Sequence, residues 1–202
     1  MDVEQREATV EPTTRDRLLV AARELFLTKG YNGASIRDIA GAIDTSLSNI
    51  YHYYGNKEGI LIEIITLARE QLTTALRAIV QSDLPAREKF ERLITEHLKI
   101  IVGSPSVEAL RIYEDSTESA GRIGREAQRE VLAIYKQAIA ALVEEGLVQT
   151  RYPSVLAFNI LGGLNWVRTW YRPDGPLSLD EIADELLRFV EHGAFAGRSR
   201  HG

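Results

Sequence analysis

The chain has 202 residues, a formal net charge of −5, 45% hydrophobic and 26% charged residues. A chain this long buries roughly 70% of its unfolded surface, so it needs no disulfide or metal to hold it together. It contains no cysteine, which excludes thiolate catalysis, Cys-ligated zinc and disulfides and makes a cytoplasmic setting the default expectation.

No apolar run approaches the roughly 20 residues needed to span a membrane. The acidic, polar start MDVEQREATVEP is no signal peptide, and residues 1–12 read as a flexible arm. Helical periodicity begins after it. Leu18, Leu19, Ala22, Leu25 and Phe26 share one face of a helix over residues 15–29, capped by Thr13 or Thr14 and stopped by Gly30. A short helix over 36–43 follows, capped by Ser35. A second short helix over 47–53 is capped by Ser46. Asn56 caps a long helix whose apolar stripe runs from Ile60 through Ile79.

Pro85 opens the next helix, with Phe90, Leu93, Ile94, Leu98 and Ile101 on its stripe and Gly103 at its end. Pro105 starts another, to about residue 116. The two glycines in 118–124 read as a turn. A long helix over 126–145 ends at Gly146 in the C′ position. Residues 153–171 are nearly apolar all round, which implies burial on more than one side. RPDGP is a turn, 179–194 is the last amphipathic helix, and 197–202 is a tail. The expected fold is all-α, with about nine helices. It has a three-helix unit over residues 13–55 and a larger helical unit over 56–196.

The segment SIRDIAGAIDTSLSNIYHYYGNK, residues 35–57, carries the functional signal. It reads as two short helices with a tight turn, then a capped third. A helix-turn-helix lays its second helix in the major groove with its first residues at base edges. Ser46, Ser48 and Asn49 supply short polar side chains there, and Asn pairs bidentately with adenine. Tyr51 and His52 can donate to phosphate. Lys57 opens the following helix, where the dipole also favours phosphate, and Arg37 can reach phosphate or guanine. Between residues 12 and 58 there are six basic residues (Arg15, Arg17, Arg23, Lys29, Arg37, Lys57) and five acidic ones (Asp16, Glu24, Asp38, Asp44, Glu58). The segment is therefore no basic patch, and its claim to DNA rests on caps and helix geometry. The bland alternative is a small three-helix bundle with aromatics at its rim.

The run LFLTKGYNGASIRDIAGAIDTSLSNIYHYYGNKEGIL resembles the DNA-binding domain of the TetR family of transcriptional repressors, strongly over residues 13–62. Where the family often has Gly-Val, this chain has Asp44-Thr45. Leu47 stands in place of Lys or Arg, and Tyr54 in place of Phe. The resemblance implies DNA contacts at Ser35, Arg37, Ser46, Leu47, Ser48, Asn49, Tyr51, His52 and Lys57. It also implies a homodimer on a palindromic double-stranded operator, released by a small hydrophobic effector.

Pairing through the last two helices places Ala157, Ile160, Leu161, Gly162, Leu164, Ile182, Leu186 and Val190 at the dimer interface. Close packing inside one subunit is the alternative reading of the glycine pair there. The segment NWVRTWYRPDGPLSLDEIADEL resembles members that respond to acyl-CoA thioesters. On that resemblance His97, Arg111, Tyr113, Trp166 and Trp170 are the ligand-binding candidates, with Arg122, Arg125 and Arg168 as further cations for phosphate. Trp166 and Trp170 can equally fill a dimer core or brace the following turn. His52, His97, His192 and His201 show no i, i+4 pair, so no metal site is expected. There is no GxSxG, P-loop or GxGxxG, and neither enzyme activity nor a cofactor is expected. A helical ligand-binding protein without operator binding is the alternative function.

Overall fold

The computed structural model describes residues 13–104, 107 and 116–192. These residues form eight helices and no strand: α1 (Thr14–Gly33), α2 (Ile36–Ala42), α3 (Leu47–Tyr54), α4 (Lys57–Gln81), α5 (Ala86–Gly103), α6 (Glu118–Glu144), α7 (Pro153–Trp170) and α8 (Leu179–His192). The expected arm, most of the helix from Pro105, and the tail lie outside the described residues.

Helix starts follow local chemistry. Thr13 and Asp16 form a capping box on α1, and Ser35 and Asp38 form another on α2. Ser46 accepts from the Asn49 amide at the start of α3, and Asn56 accepts from the Gly59 amide at the start of α4. Each such cap satisfies an amide that the helix leaves without a partner. Gly30 (φ 73°, ψ 160°) breaks α1 where the sequence places a stop, and one further turn, Tyr31–Gly33, follows the kink.

One expectation fails at residues 118–124. These are no turn: α6 begins at Glu118, capped by Thr117, and runs unbroken through Gly121 and Gly124. Both glycines are buried. A Cβ on Gly121 would stand 3.1 Å from an Arg125 guanidinium nitrogen. Their burial in the folded helix, which local propensity does not register, offsets the cost of roughly 1 kcal/mol per glycine.

The chain folds around two apolar clusters. The first holds Leu18, Ala22, Phe26, Ile39, Ile50, Ile60, Leu61, Ile64 and Ile65, with Ala120 from α6. The second runs from Ala68 and Leu72 on α4 through α5, α6 and α7 to Ile182 and Ala183 on α8. Both α4 and α6 contribute to each cluster, so packing carries the N-terminal unit past Asn56 as far as Ile65. Glu130 on α6 pairs with Arg69 and, at 3.6 Å, with Arg77, tying the two bridging helices together along their length. Among the described residues no helix is long and apolar enough to cross a membrane.

Candidate DNA-reading face and ligand cavity

The candidate recognition surface is α3. Its sole buried side chain is Ile50, which anchors it to the N-terminal core. Leu47, Ser48, Asn49, Tyr51 and His52 are exposed, as is Arg37 on α2. Tyr51 is 52% exposed and is placed for a phosphate or sugar contact. Tyr54 turns the other way and donates from its hydroxyl to the Arg15 carbonyl (3.2 Å). Arg17 donates to the Ile43 carbonyl (3.1 Å) at the end of α2. Asn49 Nδ2 donates to Thr45 Oγ1 (3.0 Å), which sets its rotamer and leaves Oδ1 and one N–H for a base.

Two expected contacts are occupied internally. The Ser35 hydroxyl donates to Asp38 Oδ2 (2.6 Å), and its backbone N–H donates to the same oxygen (2.8 Å). Both of its donors are used, so Ser35 caps α2 and has nothing left to give a phosphate. The Ser35 hydroxyl, its backbone N–H and then Lys29 hold the Asp38 carboxyl down to about 2, which keeps this cap charged. Lys57 is the second case. Its ammonium donates to the Tyr31 and Ala34 carbonyls (2.8 and 3.0 Å) and lies 4.3 Å from the centre of the Tyr31 ring.

The C-terminal unit holds a cavity of about 650 Å³ between α4, α5, α6 and α7. Leu72, Ile101, Val107, Val131, Leu132, Leu161 and Phe158 give it an apolar wall. Arg125 and Arg129 from α6 and Arg168 from α7 add three guanidinium groups to the lining, and no carboxylate lines it among the described residues. His97, Gln128 and Asn165 complete the polar side.

His97 is 1% exposed, with Nδ1 2.9 Å from the Tyr135 hydroxyl. That hydroxyl also faces the Leu93 carbonyl, at 3.5 Å. Burial, and then the charge of Arg168, push His97 down to about 4. At neutral pH it is an uncharged imidazole whose Nε2 is the nitrogen left for a ligand. Burial pushes the Tyr135 phenol well above its usual range, so it stays protonated.

His97 is therefore the ligand candidate that lines the cavity, joined by the cations Arg125 and Arg168. Arg122 is exposed on α6 and is absent from the lining. Arg111 and Tyr113 lie outside the described residues. Trp166 and Trp170 need correction: they point outward, 64% and 44% exposed, and neither lines the cavity. Sequence reasoning missed Gln128, Arg129, Phe158 and Asn165. Asn165 carried no stronger a signal than Asn159, a polar residue of the same helix that does not line the cavity.

Most of the dimer candidates lie on the inward face of α7 and α8. Ala157, Ile160, Leu164 and Ile182 are buried within their own subunit. Leu161, Leu186 and Val190 are half-buried against the same core, and Gly162 is exposed at the cavity. The i, i+3, i+4, i+7 stripe of α7 faces inward. The opposite stripe, Val155, Phe158, Gly162, Trp166 and Trp170, is exposed. An all-apolar helix has two such faces, and periodicity cannot say which one the subunit's own core takes. Among the described residues no group of His, Asp or Glu could hold a metal ion.

Comparison with known proteins adds independent findings. Residues 18–64 match the family model described as bacterial regulatory proteins, tetR family, and residues 83–194 match that of the tetracyclin repressor-like C-terminal domain. The transcriptional repressor KstR2 of Rhodococcus jostii (strain RHA1) is 31% identical over 185 residues, covering 89% of this chain and 90% of its own. The crystal structure of the regulator PfmR from Thermus thermophilus superposes with a TM-score of 0.79 at 26% identity, over 89% of this chain and 100% of that one. AibR, solved with isovaleryl coenzyme A and operator DNA, shares the fold with a TM-score of 0.77 at 23% identity, over 88% and 97%.

Proposed function

Since the chain belongs to the TetR family of bacterial transcriptional regulators, which are not enzymes, we propose that it is a homodimeric repressor of a palindromic operator. Its effector is a small hydrophobic molecule with an anionic head, of the acyl-CoA thioester class. The observation that carries the effector reading is the cavity: an apolar wall with three guanidinium groups, a neutral imidazole and no lining carboxylate among the described residues. An acyl chain suits the wall, and the phosphates of a CoA suit the arginines. The complex of AibR with isovaleryl coenzyme A and operator DNA supports the same pairing of ligands.

For the DNA the contacts are Arg37, Ser46, Leu47, Ser48, Asn49, Tyr51 and His52. A two-fold dimer presents two copies of α3 about 34 Å apart, one DNA turn. The outer stripe of α7, with Val155, Trp166 and Trp170, supplies the apolar face that a second copy covers. Release is a population shift. The effector favours a dimer whose α3 spacing no longer fits the half-sites, with a coupling on the order of 1–3 kcal/mol. Because α4 and α6 each pack in both cores, a shift of either at the cavity moves the base of the DNA-reading unit.

Selection of a duplex from a random-sequence library, followed by a gel shift with CoA thioesters and matching free acids, tests this. A palindromic duplex released by thioesters alone is the expected result. Selection of no duplex at low salt overturns the repressor reading. Release by free acids and not by thioesters overturns the effector class.

A further inference from the structure

We infer that Lys57 is a positioning residue that closes the helix-turn-helix into a loop, and that it makes no phosphate contact. This rests on the reading of residues 35–54 as a DNA-binding unit.

A lysine ammonium has three N–H donors and no acceptor. Two of those donors go to the Tyr31 and Ala34 carbonyls, at 2.8 and 3.0 Å. The Tyr31 ring, 4.3 Å from Nζ to its centre, occupies the remaining side. That ring is itself fixed, packed edge-on against Phe26 at 5.3 Å between centroids. Phe26 is buried in the N-terminal core. All three directions of the charge are therefore taken by the protein. A phosphate could approach Nζ only by breaking one of these contacts.

The two carbonyls have a reason to be there. Tyr31 begins the extra turn of α1 that follows the Gly30 break, and Ala34 is the C-cap of that helix. Carbonyls at a helix C-terminus lack amide partners and carry the negative end of the dipole. A cation is the natural cap for them. Here it comes from another helix, 23 residues on from Ala34 in the chain.

That separation defines the function. Ala34 immediately precedes Ser35, the cap of α2, and Lys57 follows α3 after only Gly55 and Asn56. One ammonium thus ties the entrance of the helix-turn-helix to its exit. Ile50 is the single buried side chain of α3. With only Ile50 and Tyr54 of α3 held to the core, the end-to-end tie adds the constraint that fixes its angle. Lys57 acts on operator recognition through α3, without touching the DNA.

The test uses the full-length protein, wild type and three variants: Lys57→Met, Lys57→Arg and Arg37→Gln. Two readouts are taken: amide hydrogen exchange, and the salt dependence of binding to a duplex selected by the wild type. A phosphate contact contributes about 0.9 to the slope of log K against log salt. The expected result is that Lys57→Met weakens binding about tenfold at every salt concentration and leaves the slope unchanged. It speeds exchange in residues 35–54 by roughly 10- to 100-fold, and in neither α5 nor α6. Lys57→Arg, which keeps the charge and a donor for each carbonyl, retains part of the exchange protection that Lys57→Met loses. Arg37→Gln shows the opposite pattern, a slope reduced by about 0.9 with normal exchange. The inference is overturned if Lys57→Met lowers the slope by about 0.9 with exchange unchanged, or if it leaves both binding and exchange at wild-type values. Should the wild type select no duplex, the DNA reading fails on its own. Exchange in residues 35–54 then decides the tie alone, with acceleration supporting it and wild-type rates overturning it.

Discussion

The two units of this molecule are built by different kinds of interaction. The N-terminal unit is made of short helices whose ends are fixed by specific local bonds: two capping boxes, two further caps, the Tyr54 to Arg15 hydrogen bond and the Lys57 tie. The C-terminal unit is made of long helices held by continuous apolar packing around a cavity. The first is suited to presenting one helix at a fixed angle. The second is suited to accommodating a guest, because apolar packing is non-directional and tolerates small shifts. A regulator needs both, and α4 and α6 join them by packing in each core.

The contrast predicts where a single methyl group does most harm. A Cβ on Gly59 would stand 2.1 Å from the Tyr54 carbonyl oxygen, because the first turn of α4 crosses the last turn of α3 there. Neither backbone can retreat: Gly55 reverses the chain at φ 72°, and Ile50 holds α3 to the core. Gly59→Ala is expected to cost the N-terminal unit about 3 kcal/mol or more. Hydrogen exchange should show this loss in α2 and α3 with α5 and α7 protected as before. Equal loss in both units would mean that they unfold as one and are not independently held.

The C-terminal unit has its own sensitivity, to acid. His97 sits near 4 in the folded chain against an ordinary value of 6.5, so the unfolded state binds a proton that the folded state refuses. Its contribution to stability is full above pH 6.5 and falls as the pH drops towards 4. Between pH 7 and pH 5 that loss is about 2 kcal/mol. His97→Gln should flatten the pH dependence of chemical denaturation over this interval by about that amount. A variant with the wild-type slope would show that His97 is not the group responsible. The N-terminal unit should be indifferent here, since its perturbed carboxylates, Asp16 and Asp38, are both held below an ordinary value of 3.8 and cost stability only at lower pH.

The same difference explains what is legible in the sequence. Caps, breaks and the recognition helix are written in residues a few positions apart, so Ser35, Ser46, Asn56 and Gly30 stand out as helix signals. What local reading cannot supply is a long-range partner. Lys57 looks like a phosphate ligand until the Tyr31 and Ala34 carbonyls are seen around it. In the C-terminal unit nearly every assignment depends on long-range packing. Residue type alone points to His97 and Arg125, yet α7 offers two apolar faces, and its inward one reads equally well as a dimer surface. Trp166 reads as a cavity residue for the same reason. The glycines of α6 suggest a turn because propensity is local, whereas their burial comes from the folded structure.

The smallest expected effect bears on how far local chemistry alone sets the N-terminal unit. Asp44 joins α2 to α3 at φ 52°, a left-handed conformation that L-residues adopt at a cost. Glycine removes the Cβ clash but loses more backbone entropy on folding, roughly 0.5–1 kcal/mol. Asp lessens the clash penalty by bonding locally, so the two effects nearly cancel. Asp44→Gly is therefore expected to stabilise the N-terminal unit by only about 0.5 kcal/mol, within the range such exchanges produce. A melting comparison alone would barely resolve it, whereas exchange of the Thr45 amide, which donates to the Ala40 carbonyl at 3.0 Å, would. Slower exchange there supports turn strain as the governing factor. Faster exchange would mean that the Asp44 side chain holds the turn, and that this unit depends on one more specific bond than its caps and ties already show.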